Sequence, residues 1–312
     1  MQKIRRNPPK LNAKPVLRSQ ARKQFGEGGA IQRRRICVSN FSDFCFGVKR
    51  AIAIAEGTLK NGRKPVYSLG AIIHNKEVVR RLAEKGLEVL KASPKTIKGG
   101  SLVICSHGIH PDRLKEAGSR IKIIDATCPF VKNAQKIAEK LFREGYKVII
   151  IGDKGHPEVR SLKKFTGNKA VIISNIEEAS NFKSKAGKIG IIAQTTQASG
   201  DFGLIVAEIL RKAFKEARVF NTICHDADMR QKSTKAMARH NDLVIVIGGK
   251  DSANTKRLYR ICRKVGAIAY HIERETELRK SWFKGINSVG VVSGASTPKW
   301  IVDEVVEKLR QF

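Results

Sequence analysis

The chain has 312 residues, of which 41% are hydrophobic and 29% charged, and it carries a net charge of +33 with six cysteines. No uninterrupted apolar run approaches the ~20 residues that a bilayer span needs, which argues against a membrane protein. Cysteines without close pairing do not form a secreted disulfide framework and point to a reducing compartment, the cytoplasm. Such an excess of positive charge suits an acidic partner, but aromatics are only 6% and no nucleic-acid motif interleaves with the charge, which disfavours DNA or RNA as that partner.

Residues 1–35 read as a tail of their own. Eleven Lys/Arg stand there against the single acid Glu27, and Pro8, Pro9, Pro15 and Gly28 interrupt any long helix, so an irregular, solvated arm is expected.

From residue 36 a threefold repeat begins. Cys45 and Cys128 each follow a β-branched run, and Val, Lys, Ala, Ile, Ala and Glu recur at offsets +3, +4, +6, +9, +10 and +11 from each. Cys224 starts a weaker third copy through Arg230, Gln231 and Lys235–Ala238. Each cysteine therefore sits at a strand-to-helix turn, and a helix N-terminus is expected to lower a thiol pKa.

A second strand follows in each copy and ends at Gly70, Gly152 or Gly248, with His74, His156 or Ser252 four residues on. The spacings from cysteine to polar residue are 29, 28 and 28. A third strand leads to Ser106-His107-Gly108, Gln194-Thr195-Thr196 or Ser293-Gly294-Ala295-Ser296. Gly190 interrupts an apolar run, so the third strand of the second copy reads as Ile191–Ala193.

The repeat predicts three similar α/β domains, a pseudo-threefold trefoil around a central cavity, with units at 36–127, 128–220 and 221–312. In each, the carboxyl ends of the strands would bring the polar loops together.

Three remote cysteines, one per unit, suit a metal site on the shared axis. Zinc usually takes four ligands, often two from a Cys-x-x-Cys turn that is absent here. An iron–sulfur cluster on three thiolates leaves one iron open. Cys37, Cys105 and Cys262 occupy no repeated position and read as small core residues. The neutral-to-basic set of His, Ser and Asn at helix starts predicts an anionic ligand, a phosphate or diphosphate. His110, His225, His240 and His271 lie off the repeat and read as structural. Glu158 is the best-placed acid for proton transfer, ahead of Asp153 and Asp251, and a charged neighbourhood should raise its pKa.

The ordered set Phe44-Cys45-Phe46-Gly47-Val48-Lys49, Ile73-His74-Asn75, Ser106-His107-Gly108, Asp125-Ala126-Thr127-Cys128-Pro129, Gly155-His156-Pro157-Glu158-Val159, Gln194-Thr195-Thr196, Asn221-Thr222-Ile223-Cys224, Ser252-Ala253-Asn254 and Gly294-Ala295-Ser296 resembles the motifs of the IspH/LytB family of 4-hydroxy-3-methylbut-2-enyl diphosphate reductases. The resemblance covers residues 36–312 and implies a 4Fe-4S cluster on Cys45, Cys128 and Cys224. It further implies diphosphate binding by His74, His107, His156, Ser252, Asn254 and Ser296. Glu158 would deliver protons to a leaving hydroxyl that Thr195 orients, with His156 close by. The implied reaction reductively removes an allylic hydroxyl as water, and a basic surface would suit an acidic electron donor such as ferredoxin or flavodoxin. Ala253 stands where the family commonly has a second serine, His225-Asp226-Ala227-Asp228-Met229 is more acidic than the usual run, and Arg160-Ser161 is also unusual. Two rival readings are a basic nucleic-acid-binding protein with zinc, and a phosphohydrolase using the same anion cavity without redox chemistry.

Overall fold

The computed structural model describes residues 34–90, 94–212 and 214–312; the expected tail therefore lies, up to residue 33, outside the described residues. The chain enters as β1 (Arg35–Val38) and passes through Cys45 into α1 (Phe46–Asn61). It then forms β2 (Val66–Leu69), α2 (Lys76–Glu84), β3 (Leu87–Leu90), β4 (Gly100–Ile104), α3 (Pro111–Leu114) and β5 (Ile121–Asp125). Cys128 opens α4 (Pro129–Arg143), followed by β6 (Lys147–Ile151), α5 (Pro157–Lys164), β7 (Val171–Ile173), α6 (Ile176–Asn181), β8 (Lys188–Ala193), α7 (Ser199–Leu210) and β9 (Glu216–Phe220). Cys224 opens α8 (His225–His240), and β10 (Leu243–Ile247), α9 (Ala253–Lys264), β11 (Ile268–Ile272), β12 (Ser288–Ser293) and α10 (Lys299–Arg310) complete the chain.

The strands form three four-stranded sheets ordered β3-β2-β4-β5, β7-β6-β8-β9 and β11-β10-β12-β1, with parallel pairings throughout. Parallel sheets covered on both faces bury most of their central strands, which is why those strands are rich in Val, Ile and Leu. Leu243–Ile247 is buried at every position. In the second sheet Ile149, Ile151, Ile189 and Ile191 pack beside Phe202, Ile205 and Ile209 of α7, while Val148, Ile150 and Ile192 pack beside Ala134, Ala138 and Leu141 of α4. Each such aliphatic side chain contributes about 1.5–3 kcal/mol by leaving water.

Two expectations are corrected. Gly190 lies inside β8, which starts at Lys188. A Cβ there would stand 2.8 Å from Leu141, so the glycine admits α4 close to the sheet rather than ending the strand. The second correction concerns β1, which pairs with β12, Ile36 opposite Val289. Residues 35–38 thus belong with the third sheet, in the place that β5 and β9 hold in the other two. Cys45, Cys128 and Cys224 each stand where the chain leaves one sheet and opens the first helix of the next unit.

In each sheet the central pair (β2/β4, β6/β8, β10/β12) has its flanking strands on opposite sides. This is a topological switch point, whose crevice opens at the carboxyl ends of the strands. The repeated polar loops emerge there.

Candidate active site

All three cysteines are helix N-caps, of α1, α4 and α8. The Cys45 sulfur accepts the Val48 N–H at 3.4 Å. The cysteines border one cavity together with His74, His107, His156, Glu158, Thr195, Ser252, Asn254 and Ser296. The three cysteines, the diphosphate candidates, Glu158 and Thr195 are thereby brought to one place, from all three units. Gly47 marks where two of the thiols approach: a Cβ there would lie 2.6 Å from the Cys128 sulfur and 4.0 Å from that of Cys45. Among the described residues no three His, Cys, Asp or Glu side chains close on a single ion. Cys37, Cys105 and Cys262 do not line the cavity, and Cys262 packs among Val244, Val246 and Leu258.

The expected lowering of the thiol pKa values is not found. Burial pushes Cys45 up to about 11, and raises Cys128 and Cys224 as well. Backbone N–H groups at each helix start act in the opposite direction, but in the protein alone desolvation wins.

The histidines form a triangle, with ring centroids 4.1 Å apart for His74 and His107, 5.5 Å for His74 and His156, and 5.8 Å for His107 and His156. Burial holds all three below the usual imidazole range, His156 at about 4. They are neutral at pH 7. Nδ1 of His156 accepts the Glu158 N–H at 3.2 Å, capping α5, so the ring proton sits on Nε2. Ser252 caps α9, its hydroxyl accepting the Thr255 N–H at 3.3 Å, and Ser296 donates to the His74 carbonyl at 3.0 Å. Nε2 of His74 and both amide atoms of Asn254 are buried without a hydrogen-bond partner. Buried polar groups are ordinarily satisfied. Orphaned groups beside a helix N-terminus make a cradle for an anion.

Glu158 is 1% exposed. Thr195 donates its backbone N–H to one carboxylate oxygen at 2.7 Å and its hydroxyl to the other at 2.8 Å. Burial nevertheless pushes the pKa up to about 7. The direction matches the sequence expectation, but the cause is lost hydration rather than neighbouring charge. Neither lesser candidate lines the cavity: Asp251 is exposed and faces Lys76 at 3.9 Å, and Asp153 pairs with Arg257 at 3.4 Å.

The model of the LytB protein family matches residues 36–310. This chain belongs to the LytB family. A 4-hydroxy-3-methylbut-2-enyl diphosphate reductase of Geobacter metallireducens is 44% identical over 279 residues, covering 89% of this chain and 97% of the relative. One from Aquifex aeolicus is 41% identical, covering 89% and 96%. Among solved structures, the E-1-hydroxy-2-methyl-but-2-enyl-4-diphosphate reductase of Plasmodium falciparum superposes with a TM-score of 0.82 at 27% identity, covering 88% of this chain and 87% of that one. A structure of (E)-4-hydroxy-3-methyl-but-2-enyl diphosphate reductase, the terminal enzyme of the non-mevalonate pathway, gives 0.63 at 39% identity, covering 89% and 100%.

Two buried arginines of this LytB chain have roles that the sequence did not reveal, although Arg230 lies in the repeat. Arg257 of α9 donates to the Thr196 carbonyl and faces Asp153, tying the third unit to the acid-bearing loops of the second. Arg230 of α8 pairs with Asp226 at 2.6 Å and donates to the carbonyls of Phe41 and Asp43, holding the turn that leads to Cys45. Arg230 belongs to the third copy of the repeat, but nothing local separates either residue from the other cations of its helix. Gln194, fully buried, accepts the Asp153 N–H at 2.9 Å and fixes the neighbouring loop. Asp226, part of the unusual acidic run after Cys224, lines the cavity itself.

Proposed function

We propose that this LytB chain reductively removes the allylic hydroxyl of 4-hydroxy-3-methylbut-2-enyl diphosphate, giving isopentenyl and dimethylallyl diphosphate, with a 4Fe-4S cluster held by Cys45, Cys128 and Cys224. Family membership supports the reductase reading, and one observation carries the assignment of residues: three cysteines and an anion cradle from three different units line the same cavity. The residues fit such a group. The thiols of Cys45 and Cys128 both lie close to Gly47, which has no side chain to stand between them, and soft sulfur donors around one cavity suit an iron–sulfur group. When bound, the cluster supplies electrons and an iron without a protein ligand that acts as a Lewis acid toward the hydroxyl oxygen.

The protein's own part is binding, orientation and proton supply. His74, His107, Ser252, Asn254 and Ser296 hold the diphosphate, the neutral histidines donating N–H groups that an approaching anion would strengthen by favouring the imidazolium. His156, with its proton on Nε2, extends this set toward Glu158. The reaction consumes two electrons and two protons: the carbon–oxygen bond breaks, one proton leaves with the oxygen as water, and the other forms the new carbon–hydrogen bond. Glu158, with a pKa of about 7, is partly protonated near neutrality and has a carboxylate stabilised by Thr195 once its proton is given up. Thr195 also orients the leaving hydroxyl. The walls of the cavity, Val48, Ile73 and Val131 among them, keep bulk water from the reacting carbon.

Among the described residues no helix is long and apolar enough to cross a membrane. The six free cysteines suit a cytoplasmic setting, and the basic surface suits an acidic ferredoxin or flavodoxin as donor. Purification under nitrogen tests the proposal: a brown protein containing iron and sulfide, which oxidises reduced methyl viologen only when the allylic diphosphate is added, is expected. A colourless zinc protein, or phosphate release without dye oxidation, would overturn it.

A further inference from the structure

A two-electron reduction draws its electrons from outside the chain. They must reach the thiols from the surface, and two large exposed apolar side chains stand in the chain beside two of those thiols. Phe46, the residue after Cys45, is 62% exposed, and Phe130, two residues after Cys128, is 41% exposed. Burial of such rings would ordinarily contribute to the core, and their exposure at helix starts whose other faces are packed signals a contact surface.

The two helix starts adjoin. Gly47 of α1 lies against Cys128, and Arg50 of α1 donates to the Thr127 carbonyl at 3.0 Å. Around this seam stand Lys49, Arg50, Lys132 and the exposed Lys136. Two acids interleave, Asp43 paired with Lys49 at 2.8 Å and Asp125 with Lys132 at 2.5 Å. The seam remains net positive, and both paired lysines keep about half of their side chains exposed.

Resting on the reductase reading, we propose that the seam between the starts of α1 and α4 is the docking face for an acidic one-electron carrier protein. Phe46 is its apolar centre and Lys49, Lys132 and Lys136 its basic rim. An apolar centre with a charged rim is the ordinary anatomy of a protein interface, and redox encounters sit at the small end of interface sizes, where rim charge governs the on-rate. Each encounter delivers one electron, so two carriers are oxidised for every water released.

The test uses the iron-loaded protein, an acidic bacterial ferredoxin and, separately, dithionite-reduced methyl viologen. Phe46→Ser is expected to lower kcat/KM for ferredoxin about tenfold and weaken the ferredoxin Kd equally, which is about 1.4 kcal/mol. Turnover with viologen and the iron content should stay within about twofold of the parent. Lys49→Glu combined with Lys132→Glu should also remove most of the ionic-strength dependence of the ferredoxin rate. Unchanged ferredoxin kinetics would overturn the proposal, as would parallel losses with both donors, which would make Phe46 a support for the thiols instead. Loss of binding to duplex DNA or anionic vesicles, with ferredoxin binding intact, would assign the seam to those surfaces and equally overturn it. If the parent protein turned over with neither donor, the reductase reading would fail, and the ferredoxin Kd of parent and variants would still decide the docking face.

Discussion

Thr195 holds both oxygens of the Glu158 carboxylate, one through its backbone N–H at 2.7 Å and the other through its hydroxyl at 2.8 Å. Glu158 stands in the first turn of α5 and Thr195 in the turn after β8, and their contact sets two opposed effects against each other. Hydrogen bonds to the ionised form lower the pKa, while near-complete burial raises it, and burial prevails at about 7. A carboxyl so placed can both hold and release a proton near neutrality.

Replacing Glu158 by Gln keeps the shape and removes the proton. Turnover should fall by about 10²–10⁴, the usual contribution of a positioned acid, with substrate Kd within a few fold. Turnover near that of the parent would remove Glu158 from the proton path. The same variant reports on stability. A group whose folded pKa lies above its ordinary value of 4.5 contributes fully below that value and loses the contribution as pH rises through about 7. The ionised, buried carboxylate then costs about 3 kcal/mol. Cluster-free Glu158→Gln should therefore melt higher than the parent at pH 8 and not at pH 4.5.

Thr195→Val deletes one of the two hydrogen bonds to the carboxylate. Its loss favours the protonated acid, so the alkaline limb of the pH profile of turnover should move upward. A limb that moves downward, or not at all, would separate Thr195 from the titration of Glu158.

The anion cradle makes a calorimetric prediction. The histidine triangle is neutral at pH 7 because burial lowers each pKa, and a bound diphosphate reverses that balance. Binding of inorganic diphosphate should thus take up protons at pH 7, measurable by titration in buffers of different ionisation enthalpy. Asn254→Ala removes two unpartnered polar atoms and should weaken diphosphate binding by about 10- to 100-fold, the range for a hydrogen bond to a charged group. Proton release on binding would contradict the neutral triangle.

Cysteine substitutions separate the two classes of thiol. Cys45→Ser, Cys128→Ser and Cys224→Ser should each lose iron, sulfide and the visible absorption under anaerobic purification. Cys262→Ala, in the core of the third unit, should retain all three and lose only about 1 kcal/mol of stability. Equal loss in all four would point to folding rather than ligation.

The sequence by itself determined the threefold repeat, the central strands and the loops that carry the polar residues. Those features are local: an unbroken apolar run marks a strand buried on both faces, and glycine followed by a small polar residue marks its carboxyl end. The strand places of β3, β7 and β11 were not legible, because short edge strands lack the long apolar run that marks the strands beside them. The position of β1 was decided only by the tertiary structure, since its four residues pair with β12 across about 250 residues of chain. The roles of Arg230 and Arg257 were decided there too, because a buried cation is distinguished from a solvated one by what lies opposite it. So was the direction of the thiol pKa shifts. A helix N-terminus can be read from neighbouring residues, but the water excluded from Cys45 is excluded by side chains from elsewhere in the chain, and desolvation is the larger effect.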